Sequence, residues 1–367
     1  MEEYNLFCEL IRVSIGRASR LSVSPSSDQW KQLYEYAMKQ TLIGVCFAGV
    51  KRLKEQGVEV PQSLFMTWLS QAVFIKERNE NMNRWSASLC QKINDEAFDC
   101  CVLKGQSLAA LYTGELSMLR QSGDIDIWML ASHKEVIRWG QENGGIWYYD
   151  YHHADYIGMQ SVEVELHYRP TLSRNLLRNA RLQRWIRKEG VALIAKSETN
   201  FPMPSKLFNL ILVLNHNFWH LLYEGVGLRQ TMDLYYTLLH NDYRKDEVQS
   251  LLQYFGLDKF AAANMWVLQE LFALPADKMV VTPNDEAGRH LLHEIMQAGN
   301  FGHYDKRLMQ NRYRNRILLM AGWMKHNFRL FRYYPADVLW SPLGVLYISM
   351  WRRWHYLIDG IKLNKKI

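Results

Sequence analysis

The sequence predicts an α+β fold in which a small α/β core sits between two helical regions. Three observations carry this expectation. Apolar residues recur at steps of three and four before about residue 85 and again after Pro202, the period of amphipathic helices. Between those stretches lie short apolar or alternating runs that read as strands: Cys100 to Leu103, Asp124 to Leu130, Ile146 to Tyr151 and Val162 to Tyr168. The chain has 367 residues, 48% of them apolar and 22% charged, enough for the cores of two or three domains at roughly 150 residues each. We place the boundaries at 1–85 for an N-terminal helical region, 86–195 for the α/β core and 196–367 for a C-terminal helical region with a basic tail.

Taken in order, Leu6, Leu10, Ile11, Val13 and Ile15 mark a first helical segment. Ser27 or Asp28 caps a second, where Trp30, Leu33, Tyr34, Ala37 and Met38 form the apolar stripe. Pro61-Gln62-Ser63 then opens a long helix running through Trp68, Phe74 and Ile75 towards Ile93. The texture changes near Phe98. Cys100-Cys101-Val102-Leu103 is a buried strand ending at Lys104-Gly105, and Leu108, Leu111 and Tyr112 follow as a helical piece. Ser132-His133-Lys134-Glu135 has the form of a capping box, and Gly144-Gly145 ends the helix it opens. Beyond Pro202, Phe208, Leu210, Ile211, Leu214, Phe218 and Leu222 lie on one helical stripe.

Composition excludes several classes. The start, Met1-Glu2-Glu3-Tyr4, is acidic where a secretory leader is basic. The five cysteines show no CxxC spacing, so neither a disulfide framework nor a zinc site is expected. The longest apolar stretch, Val338 to Met350, contains Pro342 and falls short of the ~20 residues of a membrane span. A cytoplasmic protein is expected. The 13 Trp and 20 Tyr call for thick cores or binding surfaces. Net charge is +7, unevenly placed: residues 301–367 hold 13 Lys/Arg against 3 Asp/Glu, leaving −3 for the rest. A basic tail of this kind suits nucleic acid, an anionic membrane surface or nucleotide phosphates, and equally a plain solvated helix face.

The chemistry concentrates on Asp124 and Asp126. In a strand they share a face about 6–7 Å apart, with Ile125 and Ile127 opposite, and two such acids repel unless a cation lies between them. Mg²⁺ takes hard oxygen ligands and commonly binds through one or two carboxylates plus substrate phosphates. Glu163, Glu165 and His167 share the face of a later strand, so Glu165 or Glu163 is available as a third acid. Before the pair, Lys104-Gly105-Gln106-Ser107 turns a strand into a helix. Such a turn leaves free backbone N–H groups at a positive dipole end, to which Ser107 adds a hydroxyl and Lys104 a point charge.

Val102-Leu103-Lys104-Gly105-Gln106-Ser107-Leu108-Ala109, Leu111-Tyr112 and Arg120-Gln121-Ser122-Gly123-Asp124-Ile125-Asp126-Ile127 together resemble the signature of the uncharacterised nucleotidyltransferase family of the DNA polymerase β-like superfamily. Val164-Glu165-Leu166-His167-Tyr168-Arg169 resembles its following acidic strand. Asn215-His216, His220 and Glu224-Gly225-Val226-Gly227-Leu228-Arg229-Gln230 with Asp233 resemble the helical part of its bacterial members. The resemblance implies a small mixed-sheet core, a nucleoside triphosphate substrate and two Mg²⁺ ions. It implies Asp124 and Asp126 as metal ligands with Glu165 as the third. Lys104, Gly105, Ser107, Arg120, Gly123, His167 and Arg229 are the expected nucleotide-binding residues. Two departures stand out: Gln106 separates Gly105 from Ser107, and the third acid is Glu rather than the commoner Asp.

Around this set, Arg120 is placed to reach a phosphate or neutralise the acids, and His167 to orient Glu165, touch a base or cap its strand. His216, His220 and Glu224 follow at i, i+4 and i+8, yet Asn217 stands where a metalloprotease helix has Glu, so core or polar-network histidines are the better reading. Arg229 and Asp233 read as a helix pair, or place Arg229 on the nucleotide or acceptor. Trp340, Trp351 and Trp354 near Arg352 and Arg353 read as a packed amphipathic helix. The expected activity is Mg-dependent transfer of a nucleoside monophosphate to an unknown acceptor. The rivals are an inactive nucleotide- or partner-binding protein of the same fold and a nucleic-acid-modifying enzyme guided by the basic tail.

Overall fold

The computed structural model describes residues 4–195, 199–305 and 325–360. Four helices open the chain: α1 (Asn5–Ser14), α2 (Ser27–Lys39), α3 (Ile43–Glu55) and α4 (Gln62–Asp95). The cap of α2 falls one residue earlier than expected. Ser26 accepts from the Gln29 amide, and the Gln29 side chain accepts from the Ser26 N–H, a complete capping box. Helix α4 is long, and its buried residues form one stripe from Trp68 through Ile75 and Met82 to Ile93. Its first half packs into the helical core, while Met82, Leu89 and Ile93 lie under the sheet.

The sheet contains β1 (Cys100–Leu103), β2 (Ile125–Met129), β3 (Ile146–Tyr149), β4 (His153–Tyr156) and β5 (Val164–His167). Their order is β1-β2-β5-β4-β3. β2 and β5 run parallel and the other neighbours antiparallel, so the sheet is mixed, as expected. Short helices α5 (Gly105–Ala109) and α6 (Leu116–Leu119) join β1 to β2, and α7 (His133–Asn143) leads to β3. The Ser132 capping box opens α7 as the sequence indicated. Two boundaries differ. Asp124 lies one residue before β2, and the expected strand to Tyr151 ends at Tyr149, where the chain turns back into β4.

Strand alternation splits the sheet between two cores. Cys100, Val102, Ile125, Ile127 and Met129 face α4 and the Val136, Ile137 and Trp139 side of α7. Cys101, Leu103 and Trp128 face the helical core. That second core is built by the N-terminal helices together with α8 (Leu176–Glu189), α9 (Lys206–Tyr223), α10 (Leu228–Leu239), α11 (Lys245–Phe255), α12 (Asp258–Phe272) and α13 (Asp285–Ala298). Phe7, Trp68, Phe208, Tyr235 and Phe260 belong to one continuous cluster. A small ribbon of β6 (Ile194–Ala195) and β7 (Met203–Pro204) closes the edge of β1.

Helix α14 (Pro335–Ile358) straps the molecule from the helical side to the far edge of the sheet. Asp337 pairs with Arg178. Further along, Arg352 donates to the Tyr148 hydroxyl at 2.7 Å and the Tyr356 hydroxyl to the Tyr149 carbonyl at 2.9 Å. Just past its end, Asp359 takes His133 at 3.0 Å and Lys134 at 3.1 Å. Trp351 packs against Tyr151, Tyr168 and His133, whereas Trp354 is 61% exposed. The packed helix read from the three tryptophans is therefore packed on one side only. Eight of the 13 cations of the basic tail lie outside the described residues. No helix among the described residues is long and apolar enough to cross a membrane.

Candidate active site

Register brings the acids together. Leu103 of β1, Asp126 of β2, Glu165 of β5 and Asp155 of β4 lie in one row across the sheet. Trp128, His167 and His153 form the next row, two residues along and therefore on the same face. That face looks towards the C-terminal helices, where the Trp128 ring meets Phe208 at 5.4 Å between centroids. A cleft of about 370 Å³ lies between the sheet and α9–α10, lined by Asp124, Asp126 and Glu165. Lys104, Gly105, Arg120, Gly123, His167 and Arg229 line it too, so every expected site residue except Ser107 reaches one cavity.

At its centre Asp126 is 2% exposed and saturated with donors. Lys104 Nζ lies 2.8 Å from its Oδ1, and His167 Nε2 lies 2.8 Å from the same oxygen. His167 Nε2 also stands 3.1 Å from Glu165 Oε2, bridging the two carboxylates. Burial alone raises the Asp126 carboxyl, but Lys104 and His167 outweigh it and hold it below its ordinary value. For Glu165 burial is likewise overcome by the His167 hydrogen bond and by His153, leaving it well below the usual carboxylate range. Asp124 goes the other way: the charge of Asp126, then burial, push it up to about 6. Burial works against the Lys104 ammonium, and the charges of Asp126, Glu165 and Asp124 raise it nonetheless.

The turn that carries Lys104 is strained. Lys104 has φ 44° and ψ −134°, a left-handed conformation a lysine rarely adopts, and Gly105 follows at φ 21°. A Cβ on Gly105 would meet the Asp124 carbonyl at 3.4 Å, so the turn lies directly against the acid-bearing strand. Gln106, the residue that breaks the usual Gly-Ser pair, reaches Asn83 at 3.2 Å and Asn79 at 3.4 Å and ties α5 to α4. Asn79 in turn donates to the Met118 and Arg120 carbonyls at 2.8 Å.

Three expectations are corrected by these contacts. Ser107 is fully buried, and its hydroxyl donates to the Lys104 carbonyl at 2.8 Å, holding the turn instead of facing the cleft. Arg120 is not available to a phosphate: Nε and Nη2 clasp Asp233 at 2.6 and 2.7 Å, and Nη1 donates to Ser122 at 3.0 Å. Asp233 is accordingly no helix partner of Arg229, since Arg120 and the Tyr112 hydroxyl, at 2.8 Å, take it first. Arg229 instead donates Nη1 to the Gln121 carbonyl at 2.8 Å. Its buried Nε has no hydrogen-bond partner, and burial, then the charge of Arg120, lower its guanidinium to about 10. Glu163 stands outside β5 and is exposed, contributing its carbonyl to the Ile125 amide at 3.0 Å. Glu165 is the acid that faces Asp126.

The sequence reading missed Asp150, His152, His153 and Asp155. Asp150, His152 and His153 line the cleft from the β3–β4 hairpin, and Asp155 continues the acid row beside Glu165. His152 Nδ1 lies 2.9 Å from Asp150, and His153 Nε2 lies 3.0 Å from Asp155. Burial drops His152 to about 4, partly offset by Asp150. For His153 burial is outweighed by Asp155, Glu165 and Asp150, which push it up to about 9. The only sequence signal was the density of titratable residues in Asp150-Tyr151-His152-His153-Ala154-Asp155. Opposite, His216 and His220 also line the cleft, 3.0 Å apart through their Nε2 atoms, and His220 Nδ1 meets Glu224 at 3.0 Å. The polar network expected there is present.

The small mixed sheet thus aligns carboxylates from neighbouring strands beside a strand–glycine–helix turn. The chain belongs to the uncharacterised nucleotidyltransferase family, whose sequence profile matches residues 26–273. A crystal structure of an antigenic nucleotidyltransferase-like protein from Paracoccidioides brasiliensis is similar over 57% of this chain and 97% of its own. The identity is 13% and the TM-score 0.39. No curated protein matches the sequence.

The carboxylates of Asp126 and Glu165 offer the oxygen donors a hard divalent cation takes, and the His167 imidazole beside them is a softer, nitrogen donor. Asp126, Glu165 and His167 each bring a ligand atom within 4.8 Å of the others. Asp124, whose charge is disfavoured by its neighbour, is the group such a cation would relieve.

Proposed function

We propose that this chain transfers a nucleoside monophosphate from a nucleoside triphosphate to an acceptor hydroxyl and releases pyrophosphate. The acceptor oxygen bonds to the α-phosphorus as the bond to the β-phosphate oxygen breaks. The observation that carries this reading is the convergence of Asp124, Asp126 and Glu165 beside the Lys104–Gly105 turn. Asp124 and Asp126 would hold two Mg²⁺ ions, with Glu165 on the one nearer the acceptor. When bound, the ions supply charge stabilisation to the attacking and leaving oxygens. The chain's own contribution is positioning and electrostatics. Glu165 takes the acceptor proton, Lys104 neutralises phosphate charge, Gly105 offers backbone N–H groups, and Arg229 brings a buried cation to the same cleft. Arg120, in this reading, fixes the loop before Asp124.

In the three-part division proposed above, the 86–195 core supplies the acids and the 196–367 region the opposite wall through α9 and α10. The five cysteines carry free thiols, four of them buried, which suits a reducing cytoplasm. The test is turnover of labelled triphosphates against small-molecule and macromolecular acceptors. Asp124→Asn should lower transfer by at least about 10²-fold with circular dichroism unchanged. Retained transfer would remove the assignment.

One observation favours a second reading, a nucleotide-binding protein without turnover. Lys104 and His167 already neutralise Asp126 from within the chain. Calorimetry with Mg²⁺ and each triphosphate, run beside the turnover assay, separates the two: binding without product supports the second.

A further inference from the structure

Among the described residues 21 large apolar side chains are exposed, and 12 of them fall between Phe328 and Ile358. Their placement on α14 is regular. The buried side of the helix runs through Asp337, Ser341 and Gly344. The opposite side carries Leu339, Leu343, Leu346, Met350, Trp354 and Leu357, each more than half exposed. Steps of three and four put these six on one face, a stripe about 27 Å long. Soluble monomers rarely leave so long an apolar strip in water.

The charge on this face is one-sided. Both acids of the strap turn inward, Asp337 to Arg178 and Asp359 to His133 and Lys134. What faces outward beside the stripe is Arg353, with Lys325 exposed before the helix. Residues 301–367 sum to +10.

We propose that the exposed face of α14 docks onto an anionic phospholipid surface. The helix lies in the plane of the interface, its stripe at the headgroup–acyl boundary and its flanking cations on lipid phosphates. It does not span, in keeping with the absence of a crossing helix among the described residues. Charge weighs against a second copy as occupant, since joining two such faces brings together two copies of the exposed Arg353 with no exposed acid of the strap to pair it. It decides against nucleic acid less directly: five of the six stripe residues are Leu or Met, and an aliphatic stripe offers phosphates and base edges nothing to pair with.

The test is flotation of the full-length protein with vesicles. One set is phosphatidylcholine alone, and the other is phosphatidylcholine mixed with phosphatidylglycerol. The protein should float with the mixed vesicles, less so at high salt, and not with phosphatidylcholine alone. The double substitution Leu346→Asp, Met350→Asp changes only exposed side chains and should lower the partition coefficient on the order of tenfold or more. Arg353→Glu, independent of the stripe, should weaken binding in the same direction. No flotation, equal flotation with both vesicle types, or flotation unchanged by the double substitution would overturn the proposal. So would a lipid-free dimer that the double substitution dissociates, or DNA binding that it abolishes while vesicles are ignored.

Discussion

Asp124 and Asp126 stand two residues apart, yet Lys104 and His167 make their direct contacts to Asp126. For Asp124 the charge of Asp126 and then burial outweigh the more distant Lys104 and push the carboxyl up to about 6. A carboxyl raised from 3.8 in the unfolded chain to about 6 lends its stability below pH 3.8 and loses it as pH rises through 6. At neutral pH the ionised Asp124 therefore costs the cation-free protein about 3 kcal/mol. Asp124→Asn should raise the melting temperature of the cation-free protein above pH 6 and leave it unchanged near pH 3.5. Thermal melts of the two proteins across that range check the difference, and equal melts at pH 7 would refute it. The same linkage makes divalent-cation affinity fall as pH drops through 6, measurable by titration calorimetry. In the sequence this pair was legible as a pair, but its asymmetry was not, because Lys104 and His167 reach it only through strand register.

Elements were legible wherever one period or one cap dominates. Helix α4 starts after Pro61 and keeps a single stripe to Ile93, and the Ser132 box opens α7, both as read. In the β3–β4 hairpin the first strand was legible and the second, β4, was not. Its polar residues face a polar cleft, so the strand alternation that reports burial against an apolar core is missing there. Arg120 and Asp233 were misassigned for a related reason: a helix pair at i, i+4 is visible in sequence, a clasp across more than a hundred residues is not. That clasp ties α10 to the loop before β2, with side chains 4% exposed on both partners. Asp233→Ala leaves a buried guanidinium unpaired and should cost about 3–5 kcal/mol, read in urea unfolding. A loss below about 1 kcal/mol would show that solvent or another acid replaces Asp233.

At the scale of the molecule, helices from both ends of the chain share one core, and the acid-bearing sheet leans on it through Trp128. Calorimetry should accordingly give one unfolding transition for the N-terminal helices and α8–α13, where independent end regions would give two. The same construction sets α9 and α10 against the acid row and makes the cleft. In the proposed function Asp124, Asp126 and Glu165 form a cation-dependent nucleotide site there. Mn²⁺ titration followed by electron paramagnetic resonance, with a non-hydrolysable triphosphate analogue present, tests this without knowing the acceptor. About two ions should bind per chain, fewer in Glu165→Gln and none in Asp124→Asn. Ion binding that is absent, or the same in all three proteins, would contradict it.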